Sequence, residues 1–174
     1  MSTAAQNATI VYLALGSNLG DRRRSMEEAI ARLAEAGVTV VARSPIYETD
    51  AVAPMAAGDD PGDAQPPYLN AVVRVATTRA PANLLAVCLD IERALGRVRP
   101  PGRPKASRTL DIDLLLYGDR QLETTTLTVP HPALLDRPFV RIPLADVALP
   151  GLRHPRTGDD LTRAAPSPAV RRLA

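Results

Sequence analysis

The sequence predicts an α+β fold, one sheet with helices packed on it. Three observations carry this expectation. Met26, Ile30 and Leu33, and later Leu84, Cys88, Ile91 and Leu95, repeat apolar side chains at helical spacing. Between these stretches Tyr68 to Ala76 alternates: Leu69, Ala71, Val73 and Val75 share one face, Tyr68, Asn70 and Val72 the other. The patterns follow the order β-α-β, loop, β-α-β, with strands short enough to pair antiparallel.

Taken in order, Ile10–Leu15 reads as a buried strand that Gly16-Ser17-Asn18-Leu19-Gly20 is expected to break. Asp21 caps the first helix and Gly37 ends it. Val38 to Tyr47 reads as a second strand. Thr49 to Pro67 is rich in Pro, Gly, Ala and Asp without periodicity, a long surface loop. Pro81 opens the second helix and Gly96 stops it. Arg97 to Arg108 is a basic loop broken by prolines, with five positive charges and no acid. Leu110–Tyr117 and Leu122–Val129 are expected strands, Arg137–Val147 a short helix, and Asp159–Ala165 a last one. There is no internal repeat and no linker, so residues 1–174 are expected to form a single domain with its core at about 10–150.

Composition narrows the chemistry. A hydrophobic share of 45% suits a globular chain, and no apolar run approaches a membrane span. Met1 to Ala8 lacks a basic stretch leading into an apolar one, and the single cysteine, Cys88, forms no internal disulfide; a cytoplasmic chain is expected. The net charge of +2 gives no general attraction to nucleic acid. Lys105 is the only lysine, and it sits in Pro-Lys-Ala. A Walker loop needs Gly-Lys-Ser/Thr, so any phosphate clamp here is built from arginine. The arginine-rich bias also fits a GC-rich genome.

The strongest local signal is Leu110-Asp111-Ile112-Asp113-Leu114. On a strand both aspartates point the same way, roughly 7 Å apart, with the apolar residues behind them. Two carboxylates so placed repel each other unless a cation or proton intervenes, and Mg²⁺ takes one or two carboxylates, leaving positions for water and phosphate. The plain alternative is a solvated strand face. Arg97, Arg99 and Arg108 precede the pair, and acids beside arginines suit a Mg-triphosphate; a solvated basic loop is the ordinary reading of the same run. Tyr68 and the only phenylalanine, Phe139, offer stacking faces if they are not core, and Asn70 shares a face with Tyr68. His131 by itself carries little weight.

Together these segments resemble 6-hydroxymethyl-7,8-dihydropterin pyrophosphokinase, the diphosphokinase family of the folate pathway. The resemblance rests on Leu15–Gly20, Tyr47-Glu48-Thr49, Tyr68-Leu69-Asn70-Ala71, Ile91-Glu92, Gly96-Arg97-Val98-Arg99, Arg108-Thr109-Leu110-Asp111-Ile112-Asp113, and Val129-Pro130-His131 with Arg137 and Phe139. The segments span Ile10 to Val147, and the ordered set is far more specific than any one of them. The tail, 151–174, matches only loosely. The resemblance implies a ferredoxin-like α+β fold and transfer of the β,γ-diphosphate of ATP to the pterin hydroxymethyl oxygen, leaving AMP. It implies Arg97, Arg108, Asp111 and Asp113 as catalytic residues, with Asp111 and Asp113 bridging two Mg²⁺ ions. Glu92, Arg99, Thr128, His131 and Arg137 would line the ATP site. Thr49, Val52, Tyr68, Asn70 and Phe139 would form the pterin pocket. A monomer using ATP and hydroxymethyl dihydropterin, with no nucleic acid or membrane partner, is the corresponding expectation. The chain departs from the family pattern in having no tryptophan in the loop before Arg108, where it reads Lys105-Ala106-Ser107.

Three other classes fit parts of this pattern. A catalytically idle nucleotide-binding module would not need both aspartates. An RNA-binding sheet should expose several aromatics, where only the Tyr68 strand offers one. A nucleotidyltransferase would use paired aspartates but release pyrophosphate rather than AMP.

Overall fold

Every strand pair in the computed structural model, which describes residues 8–51, 65–97 and 108–173, is antiparallel. The larger sheet is built around β1 (Thr9–Ser17) and β4 (Tyr68–Thr77), which pair along their full length, Thr9 opposite Thr77 and Ser17 opposite Leu69. β5 (Asp111–Tyr117) lies on the other side of β1. β2 (Thr39–Arg43) and β3 (Tyr47–Thr49) both pair with β4, and β8 (Arg171–Arg172) covers the outer side of β3. Among the described residues no helix is long and apolar enough to cross a membrane.

Two helices cover one face. α1 (Arg22–Glu35) buries Met26, Ala29, Ile30 and Leu33, and α2 (Pro81–Ala94) buries Leu84, Cys88 and Ile91. Both stripes meet Val11, Leu13, Leu15, Leu69, Ala71, Val73 and Val75 in one apolar cluster, so the helical spacing and the strand alternation describe the same core from two sides. Asp21 Oδ1 accepts from Arg24 N at 3.0 Å to cap α1, and Gly37 ends it at φ +76°, where a Cβ is disfavoured.

The opposite sheet face is also covered. α3 (Pro138–Val147) lays Val140, Leu144 and Val147 on Tyr12, Val72, Leu115 and Leu116. Polar ties fix its far end: Arg74 donates to Val147 O at 2.9 Å, and Tyr47 Oη donates to Asp146 at 2.7 Å. Burial, reinforced by that hydrogen bond, pushes the Tyr47 hydroxyl up to about 12.

Four expectations need correction. β1 continues through Gly16 and Ser17, because a glycine is no obstacle where both neighbouring strands supply ladder partners. Val38–Tyr47 is two strands rather than one. Pro45 has no N–H to donate, and Ser44 Oγ takes the ladder's place by accepting from Val72 N at 3.0 Å. Leu122–Val129 is a tight hairpin of β6 (Leu122–Glu123) and β7 (Thr128–Val129) turned by Thr124, whose hydroxyl accepts from Leu127 N at 2.9 Å. No helix forms at 159–165; the segment is held by an isolated bridge between Arg153 and Asp160. The parts of the two long loops at 52–64 and 98–107 lie outside the described residues.

Candidate active site

Strand register brings the site residues to one rung. Asp111 stands opposite Gly16, Gly16 opposite Asn70, and Asn70 opposite Tyr47. Asp113 follows along β5, opposite Ala14. A Cβ on Gly16 would stand 3.9 Å from both Asn70 Oδ1 and Asp111 Cβ. Gly16 therefore keeps the floor between amide and carboxylate clear, a role its place in the expected strand break did not suggest.

Asp111 is held from below. Glu92, at 3% exposure, accepts from Ile112 N at 2.8 Å and pairs with Arg97 at 2.6 Å. Arg97, with its side chain 8% exposed, also binds Asp111, and Arg108 binds the second Asp111 oxygen. Two guanidinium groups thus share one carboxylate while Glu92 joins α2 to the backbone of β5. Such charge-assisted bonds are the stronger kind, and here they are sheltered from water.

Asp113 has a different environment. Its carboxylate is 4.0 Å from His131 Nε2 and 4.0 Å from Arg137, outside direct hydrogen-bonding distance. Burial and the negative charge of Asp111 push its pKa up, and His131, Arg137 and Arg108 only partly offset them. Burial also lowers the pKa of His131, against the pull of Asp113. His131 Nδ1 accepts from Ala133 N at 3.1 Å. The neutral ring therefore carries its proton on Nε2, facing Asp113. The His131 backbone is anchored by donation to Leu115 O at 2.9 Å, at the bulge where β5 gains one residue relative to β1.

Asn18, 1% exposed, fastens the opposite rim. It accepts from Arg108 N at 2.8 Å and donates to Pro66 O at 3.2 Å. Arg108 lies over the Tyr68 ring at 5.9 Å, and Arg137 over Phe139 at 5.8 Å. Thr49 Oγ1 accepts from Asn70 Nδ2 at 2.9 Å, both residues being buried. Thr128 sits in the β6–β7 hairpin opposite Glu123. Arg97, Arg108, Asp111, Asp113, His131, Arg137, Tyr68 and Asn70 therefore gather at one end of the sheet. Val52 and Arg99 lie outside the described residues. Asn18 and Gly16 are the positions to which residue-by-residue reading gave no role. Their signal was the turn-like run Leu15–Gly20, which looks like punctuation until its strand partners are known.

Residues 12–149 match the family described as 7,8-dihydro-6-hydroxymethylpterin-pyrophosphokinase (HPPK). The chain belongs to the HPPK family. It is 41% identical over 145 residues to the 2-amino-4-hydroxy-6-hydroxymethyldihydropteridine pyrophosphokinase of Synechocystis, covering 83% of this chain and 68% of that protein. Against the folic acid synthesis protein fol1 of Schizosaccharomyces pombe it is 38% identical over 156 residues, 89% of this chain but only 20% of that protein. Among solved structures, wild-type Plasmodium falciparum HPPK-DHPS with pterin and p-hydroxybenzoate superposes with a TM-score of 0.62 at 16% identity, over 89% of this chain and 42% of that one. That likeness shows the α+β architecture. The chain thus spans less than half of the two larger proteins and most of the shorter pyrophosphokinase.

HPPK proteins use ATP as co-substrate. Among the described residues no cluster of three or more His, Cys, Asp or Glu side chains is disposed to hold a metal ion, so no all-protein cage occurs there. A Mg²⁺ site does not require one. Asp111 and Asp113 supply hard oxygen donors on one strand face, and a divalent cation would offset both the burial and the Asp111 charge that raise Asp113. The donor set fits the ion.

Proposed function

We propose that this chain transfers the β,γ-diphosphate of ATP to the hydroxymethyl oxygen of 6-hydroxymethyl-7,8-dihydropterin, leaving AMP. Pyrophosphokinase activity in folate biosynthesis goes with membership of the family. The single observation that carries the assignment to these residues is the Asp111–Asp113 face, ringed by Arg97, Arg108, Arg137 and His131 and separated by β1 alone from Asn70, whose amide donates to Thr49.

In the reaction the hydroxymethyl oxygen forms a bond to the β-phosphorus while the bond from that phosphorus to the oxygen bridging it to the α-phosphorus breaks. The hydroxyl proton is released and AMP departs. Asp111 and Asp113 would hold two Mg²⁺ ions, which when bound supply charge neutralisation and orientation of the triphosphate. Arg97 and Glu92 fix the direction of the Asp111 carboxylate. Arg108 and Arg137 would take phosphate oxygens in exchange for their present partners. His131 offers Nε2–H as a neutral donor on the same side. Tyr68 and Phe139 would sandwich the pterin, with Asn70 and Thr49 reading its edge. By the family resemblance Arg99 and Thr128 would contact the ATP and Val52 the pterin, while Glu92 would act on the ATP side through Arg97. A monomer in the cytoplasm, acting without nucleic acid or membrane, is part of this reading.

The experiment is incubation with Mg-ATP and the hydroxymethyl dihydropterin, followed by nucleotide analysis. AMP that appears only when the pterin is present supports the assignment. Release of ADP, or of free pyrophosphate, would overturn it in favour of simple phosphoryl transfer or of nucleotidyl transfer.

A further inference from the structure

The segment that follows the matched residues 12–149 returns to the site from the far side of the sheet. β8 places Arg172 opposite Tyr47 and Arg171 opposite Glu48, and Leu173 N donates to Ile46 O at 2.9 Å. Leu173 also packs against the core cluster. Arg171 then reaches past the ladder. Its two terminal nitrogens meet the two Asp50 oxygens at 2.9 and 3.3 Å, and one of them lies 3.6 Å from Glu48 Oε2. Glu48 in turn pairs at 3.1 Å with Arg22 on α1, and Arg22 donates to Pro67 O at 2.7 Å.

These contacts link the two chain stretches that carry the Thr49–Asn70 hydrogen bond. Asp50 directly follows Thr49, and Pro67 directly precedes Tyr68, which pairs with Thr49. Without β8, β3 would be a three-residue edge strand joined to the sheet on one side only, the kind of element that frays.

We propose that Arg171 is a positioning residue for the pterin-binding edge, holding β3 against β4 so that Thr49 and Asn70 present a fixed pair to the heterocycle. This rests on the functional reading above. The pair with Asp50 is exposed, 44% for Arg171 and 76% for Asp50, and such pairs are individually weak. Its effect is therefore one of order at the edge, and it diminishes with salt.

The test measures, by calorimetry, the affinity of wild type, Arg171→Ala and Arg171→Lys for the hydroxymethyl pterin with an ATP analogue present, and for the analogue alone. Arg171→Ala is expected to weaken pterin binding by roughly two- to fivefold, the upper part of the range for exposed ion pairs, with the affinity for the analogue unchanged. Arg171→Lys, which keeps the charge and loses the two-pronged contact, should fall between. Raising salt should move wild type toward Arg171→Ala. Unchanged pterin affinity in Arg171→Ala, or equal weakening of both ligands, overturns the proposal while leaving the function intact. Wild type that binds the analogue but no pterin overturns the functional reading and this inference with it.

Discussion

Arg97 closes on Asp111 as a direct ion pair, whereas the pairs that Asp113 makes with His131 and Arg137 both stand at 4.0 Å. The two carboxylates of one strand face therefore answer differently to the same substitution. Asp113→Asn removes a charge that burial and Asp111 already disfavour, and the ligand-free protein should be no less stable. Asp111→Asn leaves Arg97 with Glu92 alone and weakens the hold on Arg108. It should cost about 1.5–3 kcal/mol, the range for hydrogen bonds to charged groups. Both should abolish turnover. Chemical denaturation and AMP formation, measured on both variants, check the contrast; equal stability loss would contradict it.

Gly16→Val should fold, since the added Cβ meets Asn70 and Asp111 only at 3.9 Å and φ there is ordinary for a strand. The branched side chain would occupy the floor between them. Pterin-dependent AMP formation should fall at least tenfold with little change in thermal midpoint. Full activity in a folded variant would remove Gly16 from the site.

Cys88 lies 1% exposed on the buried face of α2, and burial with the nearby Glu92 charge pushes its thiol up to about 12. At pH 8 the native protein should resist thiol reagents and react only in denaturant. Rapid labelling of the native chain would show that α2 opens locally.

His154 is buried, and its Nδ1 accepts from Thr157 N at 3.2 Å. Burial lowers its pKa, with Asp159 opposing. The sign follows from proton uptake: the unfolded ring protonates first as pH falls through about 6.5. His154 thus supports the fold above that pH and withdraws support below it. Between pH 7.5 and 5.5 wild type should lose more stability than His154→Asn, as denaturant midpoints will show; parallel loss would contradict the assignment.

Much of the architecture was legible because local pattern and tertiary burial agree. The α1 and α2 stripes and the β4 alternation each name residues that meet in one cluster. The shared direction of Asp111 and Asp113 follows from strand period alone. What was not legible depends on contacts distant in sequence. β8 is two exposed arginines with no apolar alternation, recognisable only by their partner strand. The division of Val38–Tyr47 turns on one serine hydroxyl replacing a ladder group. Within the site, composition pointed to an arginine clamp but not to Arg97 already engaged by Asp111 and Glu92, since α2 and β5 meet only in the fold.

The most direct measurement is phosphorus NMR of one reaction followed to completion with Mg-ATP, the hydroxymethyl dihydropterin, and either wild type or Asp113→Asn. With wild type, AMP and a pterin-linked diphosphate showing two mutually coupled resonances should grow in equal amounts, and with Asp113→Asn neither should. A pterin monophosphate accompanied by ADP, or equal product from Asp113→Asn, would contradict diphosphate transfer at the Asp111–Asp113 face.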